Sequence, residues 1–222
     1  LEITELFYPI FGTEYSFRLA TRPEKFMGDK KLWDRAESTL KEILDESGKE
    51  YLIEEGDGAF YGPKVDIYMT DVLGRSWQMG TIQLDFQQPL RFGLEYTDSN
   101  GDKQTPIAIH RVIYGSMERF IGILIEHTAG RFPVWLAPEQ IRIVTVNQEE
   151  STTKFAEKIR DQAKELGLRV YLDNDNESVG KKIREAEMQK IPYTLVIGEK
   201  EISSGEVMPR VRQDIEVQED SK

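Results

Sequence analysis

The chain has 222 residues, 39% hydrophobic and 31% charged, the balance of a folded protein with one large domain or two modest ones. A net charge of −11 excludes broad, nonspecific binding of polyanions, so any nucleic-acid contact must use a local basic patch. No run approaches the roughly 18 apolar residues of a membrane span, the N-terminus lacks the marks of a signal peptide, and zero cysteines exclude disulfides and thiolate metal sites within the chain. These features point to a cytoplasmic protein with no membrane partner, and the missing initiator Met suggests a piece of a longer chain.

Residues 1–135 read as strands rich in aromatic and β-branched residues, interrupted by one helix and closed by another. The helix falls within 27–49, where Leu32, Ala36, Leu40, Ile43 and Leu44 recur on one face, with Asp29 as cap and Gly48 as stop. Strands are expected over 64–70, 76–86 and 90–97, and "DSNGD" (98–102) is a turn before the next strand. Strands following one another through short turns imply an antiparallel sheet. "FPVWLAPEQ" (132–140) marks a boundary, placing the domains at 1–135 and 136–222. Beyond it, a strand (141–146), helix (151–166), strand (169–173), helix (179–190) and strand (193–198) form a small α/β domain with a largely parallel sheet, and 218–222 reads as a frayed tail. The fold class is therefore α+β followed by α/β.

Four stretches could carry chemistry. In "IAIHRVIYGSMERFIGIL" (107–124), Ser116 would cap a helix whose third position is Arg119 rather than the usual Glu. A cation there opposes the helix dipole. Either an anion is bound jointly by the helix N-terminus and Arg119, or Arg119 pairs with Glu118 or Glu126. His110 fits a metal ligand, a general base or a hydrogen-bonded core histidine. "GAFYGPKVD" (58–66) presents Tyr61 and Lys64 around a constrained turn. In "GRSWQMGTIQLDF" (74–86), period-2 alternation puts Gln78 and Gly80 on one strand face, with Gln83 further on, either as a ligand-binding floor or as solvent-facing positions. "DNDNESVGKKIREAE" (173–187) begins at the carboxyl end of a strand, where open α/β sheets bind ligands, although an ordinary polar loop is the stronger reading from sequence alone.

These stretches, with "TRPEKFMG" (21–28), "FPVWLAPEQ" (132–140) and "VGKKIREAEMQKIPYTLVIGEKE" (179–201), closely resemble the threonyl-tRNA synthetases, class II aminoacyl-tRNA synthetases, in the same order over nearly the whole chain. The resemblance implies the later part of a class II catalytic domain followed by an anticodon-binding domain. It implies ATP-dependent activation of threonine to threonyl-adenylate and transfer to threonine tRNA, with Mg²⁺ accompanying ATP. Arg119, Ser116 and Gln78 then map to ATP-binding positions. Gln83, Tyr61 and Lys64 map to the threonine and adenylate pocket, and Asn176, Glu201 and Arg210 to anticodon readers. His110 maps to one of three ligands of a threonine-binding Zn²⁺. The other two ligands, and the first two class II motifs, belong upstream of Leu1 in that family, so the chain by itself is expected neither to hold zinc tightly nor to activate threonine. The family forms homodimers. The alternative reading is a non-catalytic tRNA-binding module derived from a synthetase.

Overall fold

The computed structural model describes residues 1–216; the tail at 218–222 lies outside them. The chain divides into two compact units, Leu1–His127 and Thr128–Lys222. The division falls before the 135/136 boundary expected from the prolines. Arginines of the second unit hold the proline segment: Arg212 donates to the carbonyl of Phe132 (2.8 Å) and Arg169 to that of Trp135 (2.7 Å).

The first unit comprises α1 (Glu2–Ile10), β1 (Glu14–Ala20), α2 (Lys30–Glu46), β2 (Tyr51–Glu54), β3 (Lys64–Thr70), β4 (Ser76–Asp85), α3 (Gln88–Arg91), β5 (Tyr96–Thr97), β6 (Lys103–Gln104), β7 (Ala108–Val112) and α4 (Met117–Thr128). Its main sheet has the order β2-β1-β3-β4-β7, antiparallel except for the parallel β1–β2 pair, which α2 connects. Asp29 caps α2 by accepting from the amide of Lys31 (3.1 Å). The buried face of α2 runs through Trp33, Ala36, Leu40 and Leu44, whereas Ile43, expected on that face, is 46% exposed. Trp33 packs on Phe86, Phe26 and Leu84. A second aromatic cluster joins α1 to α4, with Phe7 and Phe11 5.5 and 5.1 Å from Phe120.

The strand expected over 90–97 is not formed. Pro89 suits the first turn of the short helix α3, and Gly93 (φ 62°) ends it, leaving only Tyr96–Thr97 extended against β6. The sheet also gains β1 and β2, which the sequence pattern did not single out.

Cross-strand partners share a sheet face, so the register sorts the side chains. Phe17, Leu19, Val65, Ile67 and Met69 fall on one face and are nearly fully buried. Arg18, Lys64, Asp66, Tyr68, Thr81, Gln83 and His110 fall on the other. A β-bulge sets this division. Gly80 pairs with Ile67 while Gln78 pairs with Tyr68, leaving Met79 as an extra residue in β4. Gln78 and Gly80 therefore occupy opposite faces, contrary to the alternation read from the sequence. The extra residue has a benefit: Gln78 and Gln83, five positions apart, come to the same face.

The second unit contains β8 (Ile141–Thr145), α5 (Glu150–Glu165), β9 (Val170–Asp173), α6 (Val179–Met188), β10 (Tyr193–Ile197), α7 (Glu199–Ser204) and β11 (Arg210–Val211). The sheet order is β11-β10-β8-β9, parallel apart from the edge strand β11. Ile143, Ala156 and Ile197 form its core with Phe155, Ile159 and Leu172 against them.

Candidate active site and RNA-reading surface

The polar sheet face of the first unit collects the sequence-expected site residues. Tyr61 comes from the turn before β3, and its hydroxyl donates to Gln83 Oε1 at 2.9 Å. Gly62 makes this approach possible, because a Cβ there would lie 1.9 Å from the carbonyl oxygen of Leu84. Lys64 is the register partner of Gln83 and donates to the fully buried Asp66 (2.6 Å) and to Asp57 (3.3 Å). Burial works to lower the lysine pKa, but the pairing with Asp66 and Asp57 outweighs it and holds Lys64 above its ordinary value. Asp66, Asp57 and Glu54 bring carboxylate oxygens within 4.8 Å of one another, and Lys64 and Arg18, the latter ion-paired with Glu54, already offset their charge.

Three polar atoms on this face are buried without a hydrogen-bond partner in the protein: Arg18 Nε, Asp66 Oδ1 and Thr81 Oγ1. Arg18 pairs with Asp66 and Asp66 with Thr81, so the three residues form one row across β1, β3 and β4. An unmet buried polar group costs about 1–3 kcal/mol. Water or a polar ligand on this floor would offset that cost for all three.

At the edge of this floor α4 begins. The Ser116 hydroxyl caps it by accepting from the amide of Arg119 (3.2 Å), as the sequence suggested. Gly115, at φ 68°, turns the chain where a Cβ would meet the carbonyl oxygen of Met79 at 2.3 Å. The Arg119 guanidinium donates to the carbonyl of Gln78 (3.0 Å) and stands 5.9 Å from the centre of the Trp77 ring. Neither carboxylate considered from the sequence takes it. Glu126 pairs with Arg75 at 2.7 Å, and among the described residues Arg119 has no ion pair. Ser116, Arg119 and Gln78 are thus neighbours, and an anion at this helix start would meet free amides and an uncompensated guanidinium.

His110 lies beside Gln83 in the register, its Nε2 3.0 Å from Asp85 Oδ2. Burial opposes the charge on Asp85, but the amide of Gln88, His110 and the amide of Gln87 hold its carboxyl below the ordinary value. A structural or catalytic zinc needs three or four ligands. Among the described residues no group of three ligating side chains includes His110. Among the described residues His110 thus stands without partner ligands, in keeping with a resemblance that places the other two upstream of Leu1.

In the second unit the expected readers spread along the sheet. Asn176 follows β9 and is exposed. Glu201 lies in α7, its carboxylate accepting from the amide of Gly198 (3.0 Å). Arg210 lies on β11, at the opposite sheet edge from β9. Three strand spacings, roughly 14 Å, separate those edges, which suits several bases better than one. Sequence patterns missed the support beneath Asn176. Lys182, only 2% exposed, donates to the carbonyls of Thr145 and Asp173 (both 3.2 Å), and Thr145 Oγ1 contacts Asn174 Oδ1 at 2.8 Å. In "VGKK" nothing separates a solvated lysine from a buried one except that 182 shares a helical face with Ala186.

Residues 2–128 match the tRNA synthetase class II core domain (G, H, P, S and T), and residues 140–221 match the anticodon binding domain family. The threonine–tRNA ligase of Carboxydothermus hydrogenoformans is 53% identical over 212 residues, covering 96% of this chain and 33% of the relative. A crystal structure of the RNA binding domain of threonyl-tRNA synthetase from Cryptosporidium parvum superposes with a TM-score of 0.83 at 38% identity, covering 96% of this chain and 53% of that one. A threonyl-tRNA synthetase structure from Aeropyrum pernix gives 0.69 at 31% identity, covering 95% and 53%. The chain spans about a third of the length of the curated relatives it matches. It belongs to the class II aminoacyl-tRNA synthetases, joining class II core sequence to an anticodon-binding domain as the threonyl-tRNA synthetases do.

Proposed function

We propose that this chain is part of a threonine–tRNA ligase, which activates threonine with ATP and transfers it to threonine tRNA. The observation that carries this reading is the meeting of an uncompensated Arg119 at a helix start with a sheet floor of Gln78, Gln83, Lys64 and Tyr61. In the activation step the threonine carboxylate attacks the α-phosphate of ATP and pyrophosphate leaves. Arg119 and the first amides of α4 would neutralise the phosphates, with Gln78 beside them. Tyr61 and Gln83 would orient the amino acid, and Lys64 would stabilise the adenylate. Such positioning and preorganised charge account for catalysis without a protein nucleophile. Mg²⁺ bound to ATP would add neutralisation of the phosphates. Asn176, Glu201 and Arg210 would read anticodon bases. The same reading carries the cytoplasmic location and the homodimeric assembly implied by the resemblance, with a further zinc-binding segment completing what His110 begins.

In the complete synthetase, Arg119→Ala should reduce threonine-dependent ATP–pyrophosphate exchange roughly 10²–10³-fold while tRNA binding stays unchanged. Unaltered exchange would remove Arg119 from the reaction. The 222-residue chain alone should bind tRNA without supporting exchange.

A further inference from the structure

Lys64 is shared between two carboxylates of opposite character. An ammonium has three donors, and this one gives one to Asp66 at 2.6 Å and one to Asp57 at 3.3 Å. Asp66 stands on β3 two residues from Lys64, on the same sheet face, and its side chain is fully buried. Asp57 belongs to the loop between β2 and β3, and its side chain is 58% exposed. In the reaction proposed above Lys64 stabilises an anion, and neither carboxylate has a task.

Stability alone does not account for the buried partner. Asp66 Oδ2 accepts from Lys64, and among the described residues Oδ1 has no hydrogen-bond partner. A carboxylate taken out of water for a single ion pair contributes little net stability, and apolar residues of similar volume would serve the sheet as well. What Asp66 supplies is position. From a buried place on a central strand it holds the Lys64 ammonium at a fixed point next to the register partner Gln83.

The exposed partner is held less firmly. A solvent-exposed ion pair contributes little and is screened by salt, and 3.3 Å is long for a hydrogen bond between charged groups. Gly58, the next residue, donates its amide to the carbonyl of Thr21 (2.7 Å), where a Cβ would lie 2.4 Å from the same oxygen. The loop is pinned just beyond Asp57, so the carboxylate can leave Lys64 by side-chain rotation without movement of the backbone.

We infer that Asp66 is a positioning residue for Lys64, and that Asp57 is a stand-in for the adenylate phosphate, releasing its donor on Lys64 when that anion arrives. The inference rests on the adenylate role proposed for Lys64 and adds two residues of opposite effect to it. The Asp57 carboxylate and the phosphate compete for one donor and repel each other. Removing the charge of Asp57 therefore favours the anion, whereas removing that of Asp66 harms the reaction.

The test uses the complete synthetase, with threonine-dependent pyrophosphate exchange and binding of a non-hydrolysable sulfamate analogue of threonyl-adenylate at low and high salt. Asp57→Asn should bind the analogue up to about fivefold more tightly, the scale of an exposed ion pair, with the gain shrinking at high salt. Asp66→Asn, which keeps the shape of the side chain, should lower kcat roughly 10²-fold, the scale of a misplaced group, with little change in the KM for threonine. In a Lys64→Met background Asp66→Asn should lower exchange no further, because the carboxylate acts through the lysine. A merely structural Asp66 would lower exchange by the same factor in both backgrounds, and that result would overturn the positioning role. Unchanged analogue binding by Asp57→Asn would remove the stand-in role, and weaker binding would assign Asp57 to the substrate's amino group instead. Asp57 is exposed, so its variant decides the inference even if Asp66→Asn fails to fold. Undiminished exchange in Lys64→Met would overturn the adenylate role of Lys64 itself, and this inference with it.

Discussion

The two units place their polar groups differently. In the first, Lys64, Gln83, Asp85 and His110 stand on strands and are already held in place, Lys64 by Asp66, Gln83 by Tyr61, and Asp85 and His110 by each other. In the second, Asn176 and Glu201 lie beyond strand ends, and what is locked is the layer beneath them, Lys182 with Thr145 and Asp173. A group that must meet a reacting phosphate to within a fraction of an ångström gains from a rigid strand. A group that reads splayed bases can sit on a loop, provided the base of that loop is fixed. Rigidity is placed in the site itself in one unit and under it in the other.

Substitutions test this contrast. The largest effect is expected for Gly115→Ala. The clash with Met79 and the left-handed backbone together cost about 2–4 kcal/mol. Denaturant unfolding should show that loss in the first unit, and pyrophosphate exchange in the complete synthetase should fall because Arg119 is displaced from Gln78. If exchange survives, the α4 start does not need its precise seat. Lys182→Met should cost less, about 1–3 kcal/mol for the loss of its hydrogen bonds to the buried carbonyls of Thr145 and Asp173. It should lower discrimination between cognate and altered anticodons more than total RNA binding. Equal loss for both would mean that Lys182 stabilises the unit without setting the loop.

The smallest effect concerns Asp71, which accepts from the Trp77 indole (2.8 Å) and from Arg75 Nε (2.5 Å). Burial works against its charge, but the Trp77 indole, the Arg75 amide and guanidinium, and the Leu73 amide hold its carboxyl far below the ordinary range. A depressed folded pKa gives stability that is present above the ordinary carboxylate value and lost as pH falls through the depressed one. The Trp77 indole N–H resonance should therefore stay in place while pH falls through the usual carboxylate range and move only below it. Movement within that range would show a looser β3–β4 turn than the structure has.

Legibility followed periodicity. The helix α2, the strands β3 and β4, and all three parallel strands of the second unit were readable because apolar residues repeat at 3.6 or 2 positions over several turns or pleats. β1 and β2 were missed; Arg18 and Glu54 are polar positions whose partners lie far away in sequence. The apolar alternation of Leu90, Phe92 and Leu94 misled in the other direction. Those side chains are 59, 71 and 50% exposed, and Pro89 and Gly93 decide the backbone instead. The Ser116 cap was visible because it is a local motif. The His110–Asp85 pair and the row through Arg18, Asp66 and Thr81 depend on sheet register, which no window of sequence contains.

The extra residue at Met79 makes the length of β4 matter as much as its composition. Deleting Ile82 with the bulge in place would leave Gln78 and Gln83 four positions apart, one of them taken up by the bulge, and send them to opposite sides of the sheet. The two ends of the proposed pocket would then lie on different surfaces, although every side chain in it was retained. The hairpin tip at Asp98–Asp102, where a turn joins two exposed two-residue strands, carries no such constraint. In evolutionary terms, insertions and deletions should accumulate at that tip and be purged between Ser76 and Asp85, whatever the substitution rate at either place.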